Sequence, residues 1–161
     1  MPSRSRPPLT RLLQSRLMRV VNVPMRRVLA RPRQTPLSKR LMLVRITGRR
    51  TGKVYRQPLS YVQQGSVLLT PGGGNWKLNL REGEPVPIRL RGRDVQARPE
   101  LVSDPAEIER LLAVMTAANP VVGTFVGIPR GADGRLDQDR LQEAVRHGFR
   151  VVRWHLAGSA A

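Results

Sequence analysis

Cysteine is absent from the 161 residues, which removes disulfides, thiol catalysis and thiolate metal ligation from consideration. Only His147 and His155 supply imidazole, too few for a multi-histidine metal site. No Gly-x-Ser-x-Gly elbow occurs, and neither histidine has a nucleophile in a recognisable arrangement. Aromatic residues are scarce, with two each of Trp, Tyr and Phe. These must help fill the core before any can stack on nucleic-acid bases. No apolar run approaches the ~20 residues needed to span a bilayer. The most telling absence is of acid. The first carboxylate is Glu82, so residues 1–81 carry 18 Lys and Arg and no acid, while residues 82–161 hold 11 of each. The whole formal charge of +18 therefore resides in the first half. Such a surface is built to meet an anion: a ligand's phosphate, a nucleic acid or a membrane.

The length suits one domain with a substantial core, preceded by a basic segment. Residues 1–36 read as a basic N-terminal tail with an amphipathic helix, and residues 37–158 as the folded domain. Within the tail, Leu12, Leu13, Leu17, Val20 and Val21 recur at helical spacing. Pro24 breaks that helix, and Met25, Val28 and Leu29 suggest one more short helical stretch. Packing on the domain, an anionic membrane surface and nucleic-acid contact are all open roles for this segment. Its Arg-rich, acid-free character superficially resembles a transit peptide, while Arg11, Arg16 and Arg19 interrupt any secretory h-region. The expected location is cytoplasmic, with peripheral attachment at the inner membrane face as a variant.

The central segment reads as β. Leu41–Ile46 is a strand, and Val54–Gln63 is its hairpin partner across the turn Gly48-Arg49-Arg50-Thr51-Gly52-Lys53. Ser66–Thr70 follows, stopped by Pro71-Gly72-Gly73-Gly74. Asn75 is placed to cap a short helix over Trp76–Arg81. Val86–Arg91 and Val95–Val102 are strands joined at Gly92. Ser103 or Asp104 caps a helix whose face is Ile108, Leu111, Leu112 and Met115, with Pro105 in its first turn. Residues 119–135 are irregular, Leu136–Arg146 is a short helix and Phe149–Leu156 a closing strand. Short strands, tight turns and a few helices suggest a small β-barrel with helical additions, a mainly β (α+β) fold.

Gly48 and Gly52 permit positive φ, which would let backbone N–H groups converge on an anion. Arg49 and Arg50 add forked donors matched to phosphate or carboxylate oxygens, Thr51 a hydroxyl and Lys53 a mobile charge. The turn is not a Walker A loop, because Val54 stands where Ser or Thr would bind magnesium. A solvated hairpin is the plain alternative. The glycines at 72–74 could admit a flat ligand or merely form a loop.

Three segments together resemble the deazaflavin-dependent nitroreductase family of split β-barrel oxidoreductases. They are Ile46–Lys53, then Pro58-Leu59-Ser60-Tyr61-Val62, then Gly74-Asn75-Trp76-Lys77-Leu78-Asn79-Leu80-Arg81, and the resemblance extends over roughly Leu9–Leu156. It implies a flavin-reductase-like split barrel and the cofactor F420, a hydride carrier with a phosphate and polyglutamate tail. The family's Gly-Arg-Lys/Arg-Ser/Thr-Gly motif holds that tail and carries over to Arg49, Arg50 and Thr51, with Lys53 and Arg56 as assistants. Thr70, Pro71, Gly72 and Gly73 would lie beside the ring, and Asn75, Trp76 and Asn79 would shape the pocket. Many relatives place Arg where this chain has Tyr55, and a one-residue displacement to Arg56 reverses the strand face. No clear counterpart of the relatives' substrate-contacting tyrosines follows Asn119, where Phe125 is the one aromatic.

The resemblance implies hydride transfer from reduced F420 to a quinone, nitroaromatic or enone. The cofactor performs the chemistry and the protein positions it. No side-chain base is required, and Tyr61 and Ser60 are the candidate proton donors. His155 is expected to be structural. FMN in the same barrel, and a non-enzymatic module binding nucleic acid or anionic lipid, are the alternatives; the few aromatics argue against nucleic acid. The expected partner is a small-molecule electron acceptor, and both monomer and homodimer are open.

Overall fold

The computed structural model describes residues 25–30, 36–120, 122, 126 and 128–158. The helix expected from Leu9 to Val21, and Phe125, lie outside them. Seven strands form one antiparallel sheet: β1 (Leu41–Thr47), β2 (Val54–Ser60), β3 (Val62–Gln64), β4 (Val67–Gly72), β5 (Val86–Leu90), β6 (Arg93–Val102) and β7 (Arg150–Leu156). Their order is β2-β1-β5-β6-β7-β4-β3.

β2 and β3 are the two edges, yet Tyr61 alone separates them in the chain. A flat sheet of this size would hold its edges roughly 29 Å apart at about 4.8 Å per strand. Two peptide steps reach only about 7 Å. The sheet must therefore curl until its edges meet at Tyr61, giving a split barrel closed by the chain itself. The single strand expected over Val54–Gln63 is corrected accordingly. Its first part pairs with β1, Ser60 opposite Leu41, and its last part pairs with β4, Val62 opposite Leu69.

This corner is tightly held. The Tyr61 amide donates to Arg40 O at 3.1 Å, and its hydroxyl donates to Ser38 O at 3.0 Å. Asn119, just past the first long helix, donates through Nδ2 to both Arg40 O (3.1 Å) and Tyr61 O (3.0 Å). Tyr61 is buried, and that burial pushes its pKa up, slightly opposed by the charge of Arg91. The phenol thus stays a donor.

Strand alternation sorts the apolar residues into two layers. Met42, Val44, Ile46, Leu68, Val152 and Trp154 fill the barrel. Leu69, Val102 and Val151 face the helices α1 (Pro105–Ala118) and α2 (Gln138–Arg146), which contribute Ile108, Leu111, Leu112, Met115 and Leu141. Asp104 caps α1 by accepting from Glu107 N, and Asp137 caps α2 by accepting from Arg140 N. The short helical stretch expected around Met25–Leu29 is present at residues 25–29, and Leu29 packs on Leu41 and Leu43 outside the barrel.

The abrupt end expected at Pro71 is also corrected. β4 continues through Gly72, which pairs with Arg150; a Cβ there would sit 2.8 Å from Arg150 O. The glycine lets β7 approach. The helix expected over Trp76–Arg81 is a 3-10 turn, Trp76–Asn79, and the Asn75 side chain makes no cap bond to it.

On the outside of β6 and β7, Arg153 pairs with Glu100 at 3.1 Å and with Glu107 of α1, while His155 donates to Glu100 at 2.8 Å. His155 thus has a structural partner that its sequence context did not reveal. The His155 hydrogen bond, then Arg153, hold the Glu100 carboxyl below its ordinary range. The Arg153 hydrogen bond does the same to Glu107.

Two predictions follow from these contacts. Asn119→Ala leaves Tyr61 O without its side-chain donor and should cost about 1–3 kcal/mol, read from urea midpoints; an unchanged midpoint would show that the corner holds without it. Carboxyls with lowered folded-state pKa stabilise above the unfolded value and lose that contribution as pH falls through the folded one. Stability should therefore decline below about pH 4.3, the ordinary glutamate value, and Arg153→Ala should flatten that decline.

Candidate functional site

The β1–β2 turn closes on itself. Gly48 N donates to Lys53 O (2.8 Å) and Gly52 N to Gly48 O (3.0 Å), while Lys53 N donates to Thr51 Oγ1 (3.2 Å). Arg49 N donates across to Asn79 Oδ1 at 3.1 Å, and Asn79 Nδ2 donates to Trp76 O at 3.2 Å. One amide side chain thus ties together two motifs 30 residues apart. Gly52 has φ +66°, but Gly48 does not share that conformation, correcting the expectation for both. Gly48 is needed for space: a Cβ would lie 3.0 Å from the Tyr55 ring. Four of the turn's amides are engaged within the protein, so its arginine side chains remain the main donors toward an external anion.

Beside the turn lies an open cleft of about 550 Å³. Ile46, Tyr55 and Gln57 form one wall from the barrel-facing side of β1 and β2, and Asn75, Trp76, Leu78 and Asn79 form the other. Arg49, Arg50, Thr51 and Arg26 gather at its rim, and no carboxylate lines it among the described residues. Trp76 stacks on Trp154 at 6.3 Å with 13° between planes. Trp154 is fully buried and donates through Nε1 to Thr70 Oγ1 at 3.0 Å. The indole wall is therefore anchored in the core.

Of the residues singled out in the sequence, Arg49, Arg50, Thr51, Asn75, Trp76 and Asn79 come together here. Lys53 is exposed and does not line the cleft. Arg56 does not either: Tyr55 and Gln57 face the cleft, so alternation sends Arg56 to the opposite face of β2, where it lines a separate cavity. Thr70 is buried with its hydroxyl bonded to Trp154, Pro71 and Gly72 are enclosed in the sheet, and Gly73 is exposed beside it. Tyr61 is held in the corner. Ser60 is buried, its Oγ without a partner among the described residues, and neither lines the cleft.

Sequence reasoning missed Arg26, whose only signal was the short basic helical stretch. It also missed Lys77, which is buried and donates through Nζ to Gly74 O at 2.5 Å. Burial, then the charge of Arg150, pulls the Lys77 pKa down. This lysine holds the glycine loop against the 3-10 turn.

Cutting the tether with Asn79→Ala should cost about 0.5–1.5 kcal/mol and speed hydrogen exchange at the Arg49 amide. Unaltered exchange would mean that the turn is fixed without Asn79.

A solved structure of a putative 5-nitroimidazole antibiotic resistance protein from Bacteroides thetaiotaomicron is similar at 15% identity, with a TM-score of 0.46 over 75% of each chain. No curated protein matches the sequence. The sequence profile of the F420H2-dependent quinone reductases matches residues 17–125, more than half of the chain and both motifs of the cleft. The chain belongs to that family and is an F420-dependent oxidoreductase.

Proposed function

We propose that the cleft holds F420 with its anionic tail on Arg49, Arg50 and Thr51, and that the acceptor reduced beside Trp76 is a quinone. The observation that carries this reading is the polarity of a single cleft. Three arginines (Arg26, Arg49 and Arg50) stand at the rim with no carboxylate among the lining residues, and Ile46, Trp76 and Leu78 offer apolar surface within the same space. A ligand with a flat ring at one end and a phosphate-carboxylate tail at the other matches both halves. The quinone reading is supported by the family's name, F420H2-dependent quinone reductase.

When bound, reduced F420 supplies the hydride. The chain's own residues bind and orient. The Arg49 and Arg50 forks meet tail oxygens with charge-assisted bonds, on a turn already fixed by Asn79. Thr51 Oγ1 accepts from Lys53 N, which leaves its hydroxyl proton free to donate. Trp76, backed by Trp154, gives a rigid surface against which a ring can lie, and rigid placement is where such a site contributes to rate. Tyr61 and Ser60 are enclosed elsewhere, so the proton that completes quinone reduction comes from solvent, which the open cleft admits.

Fluorescence titration of F420 tests the tail assignment. Arg49→Ala/Arg50→Ala should weaken binding roughly 100-fold, as two charge-assisted contacts of about 1.5 kcal/mol each require. An unchanged dissociation constant would remove these residues from the site. Anaerobic turnover with reduced F420 and a panel of quinones, nitroaromatics and enones tests the acceptor. A preference for a non-quinone would overturn that half of the reading while leaving the tail site standing.

A further inference from the structure

A second basic cavity lies on the outer face of the same hairpin. It encloses about 440 Å³ and is lined by Arg45 of β1, Arg56 of β2, and Arg89 of β5 with its partner Asp94, over Leu43 and Pro87. It shares no lining residue with the F420 cleft. Alternation explains the separation: Ile46, Tyr55 and Gln57 point one way, Arg45 and Arg56 the other.

Three features distinguish this cavity from a solvated basic face. Arg45 and Arg56 are direct cross-strand partners, an arrangement of like charges that destabilises a sheet. Among the described residues neither has a carboxylate within ion-pair distance, whereas Arg89 pairs with Asp94 at 2.8 Å. Arg89 is further fixed by donating through Nη2 to Ala30 O at 3.3 Å, and its Nε is buried with no partner. A guanidinium with an unmet buried donor and two adjacent unpaired guanidinium groups form a site for an anion with several acceptor oxygens. Phosphate has that character and suits forked donors. The volume falls within the range of small-molecule pockets, and Leu43 and Pro87 offer apolar surface beside the guanidinium groups.

We propose that this cavity is a second ligand site, distinct from the F420 cleft, that takes the phosphate group of an organic anion. An anionic lipid headgroup and a soluble organic phosphate present the same chemistry, and the experiment separates them.

The full chain is compared with Arg45→Ala/Arg56→Ala and with Arg140→Ala/Arg146→Ala, which removes the same charge from α2. Thermal unfolding with and without inorganic phosphate is one measurement. Sedimentation with phosphatidylglycerol–phosphatidylcholine vesicles, against phosphatidylcholine alone, is the other. The expected result is that the Arg45/Arg56 variant alone loses the phosphate-induced rise in Tm, or loses about 10-fold in vesicle affinity, the equivalent of one charge-assisted contact. Loss of the phosphate effect supports a soluble ligand. Loss confined to vesicles supports a lipid headgroup. F420 affinity should stay within about twofold in this variant, a shift of less than half a kcal/mol. Equal losses in both double variants would reduce the effect to net charge and overturn the site. A parallel loss of F420 binding would assign these arginines to the cofactor instead. Retention of both responses in the Arg45/Arg56 variant would also overturn it.

Discussion

The fold depends on one residue passing the chain between the two edges of its own sheet. Tyr61 ends the pairing with β1 and begins the pairing with β4, and its amide, carbonyl and hydroxyl are all bonded there. The curl imposed by this corner brings the end of β4 across from the β1–β2 hairpin. Only then can Asn79, just beyond β4, reach the Arg49 amide. The site is thus a consequence of barrel closure. Two motifs that are remote in a flat sheet become the two walls of one cleft.

The hairpin that bears the site also has two chemically different faces. One-residue steps separate Ile46 from Arg45 and Tyr55 from Arg56, and each step reverses direction. Charge balance then acts on the sorted residues. In the second half of the chain, Arg153, Arg135 and Arg140 have carboxylate partners. In the acid-free first half, Arg45, Arg49, Arg50 and Arg56 have none among the described residues. The lopsided sequence charge therefore leaves the guanidinium groups on both faces of this hairpin without carboxylate partners among the described residues.

Much of this was legible before the fold was known. β1 is found within one residue of its expected end, Asp104 and Pro105 start α1 as their chemistry requires, and the paired motifs pointed to one cofactor. The handover at Tyr61 was not legible, because a period-two pattern runs unbroken when a bent strand exchanges partners. Gly72 looked like a stop signal because its real constraint, the β7 carbonyl beside it, comes from 78 residues away. The resemblance makes Arg56 an assistant to the tail site, although its displacement by one residue already points it to the other strand face, which is where it stands. Lys77 lies within a motif and Arg26 within a short basic helical stretch, but neither context marks the residue's role. Their roles arise from where the 3-10 turn and the short N-terminal helical stretch come to rest.

The absence of acid near the turn bears on binding free energy as well as on attraction. An arginine carries about 2 kcal/mol of rotamer entropy that ordering removes, a cost that any partner of Arg49 or Arg50 must offset. Had these arginines been paired to carboxylates, a ligand would have had to break those contacts first, in addition to that cost. Four of the turn's amides are already engaged, one of them by Asn79 at the Arg49 backbone, so ligand binding orders mainly the side chains. A rigid turn with unpaired arginines avoids both contact breaking and backbone ordering, leaving side-chain entropy as the main opposing term for the polyanionic tail proposed to bind there.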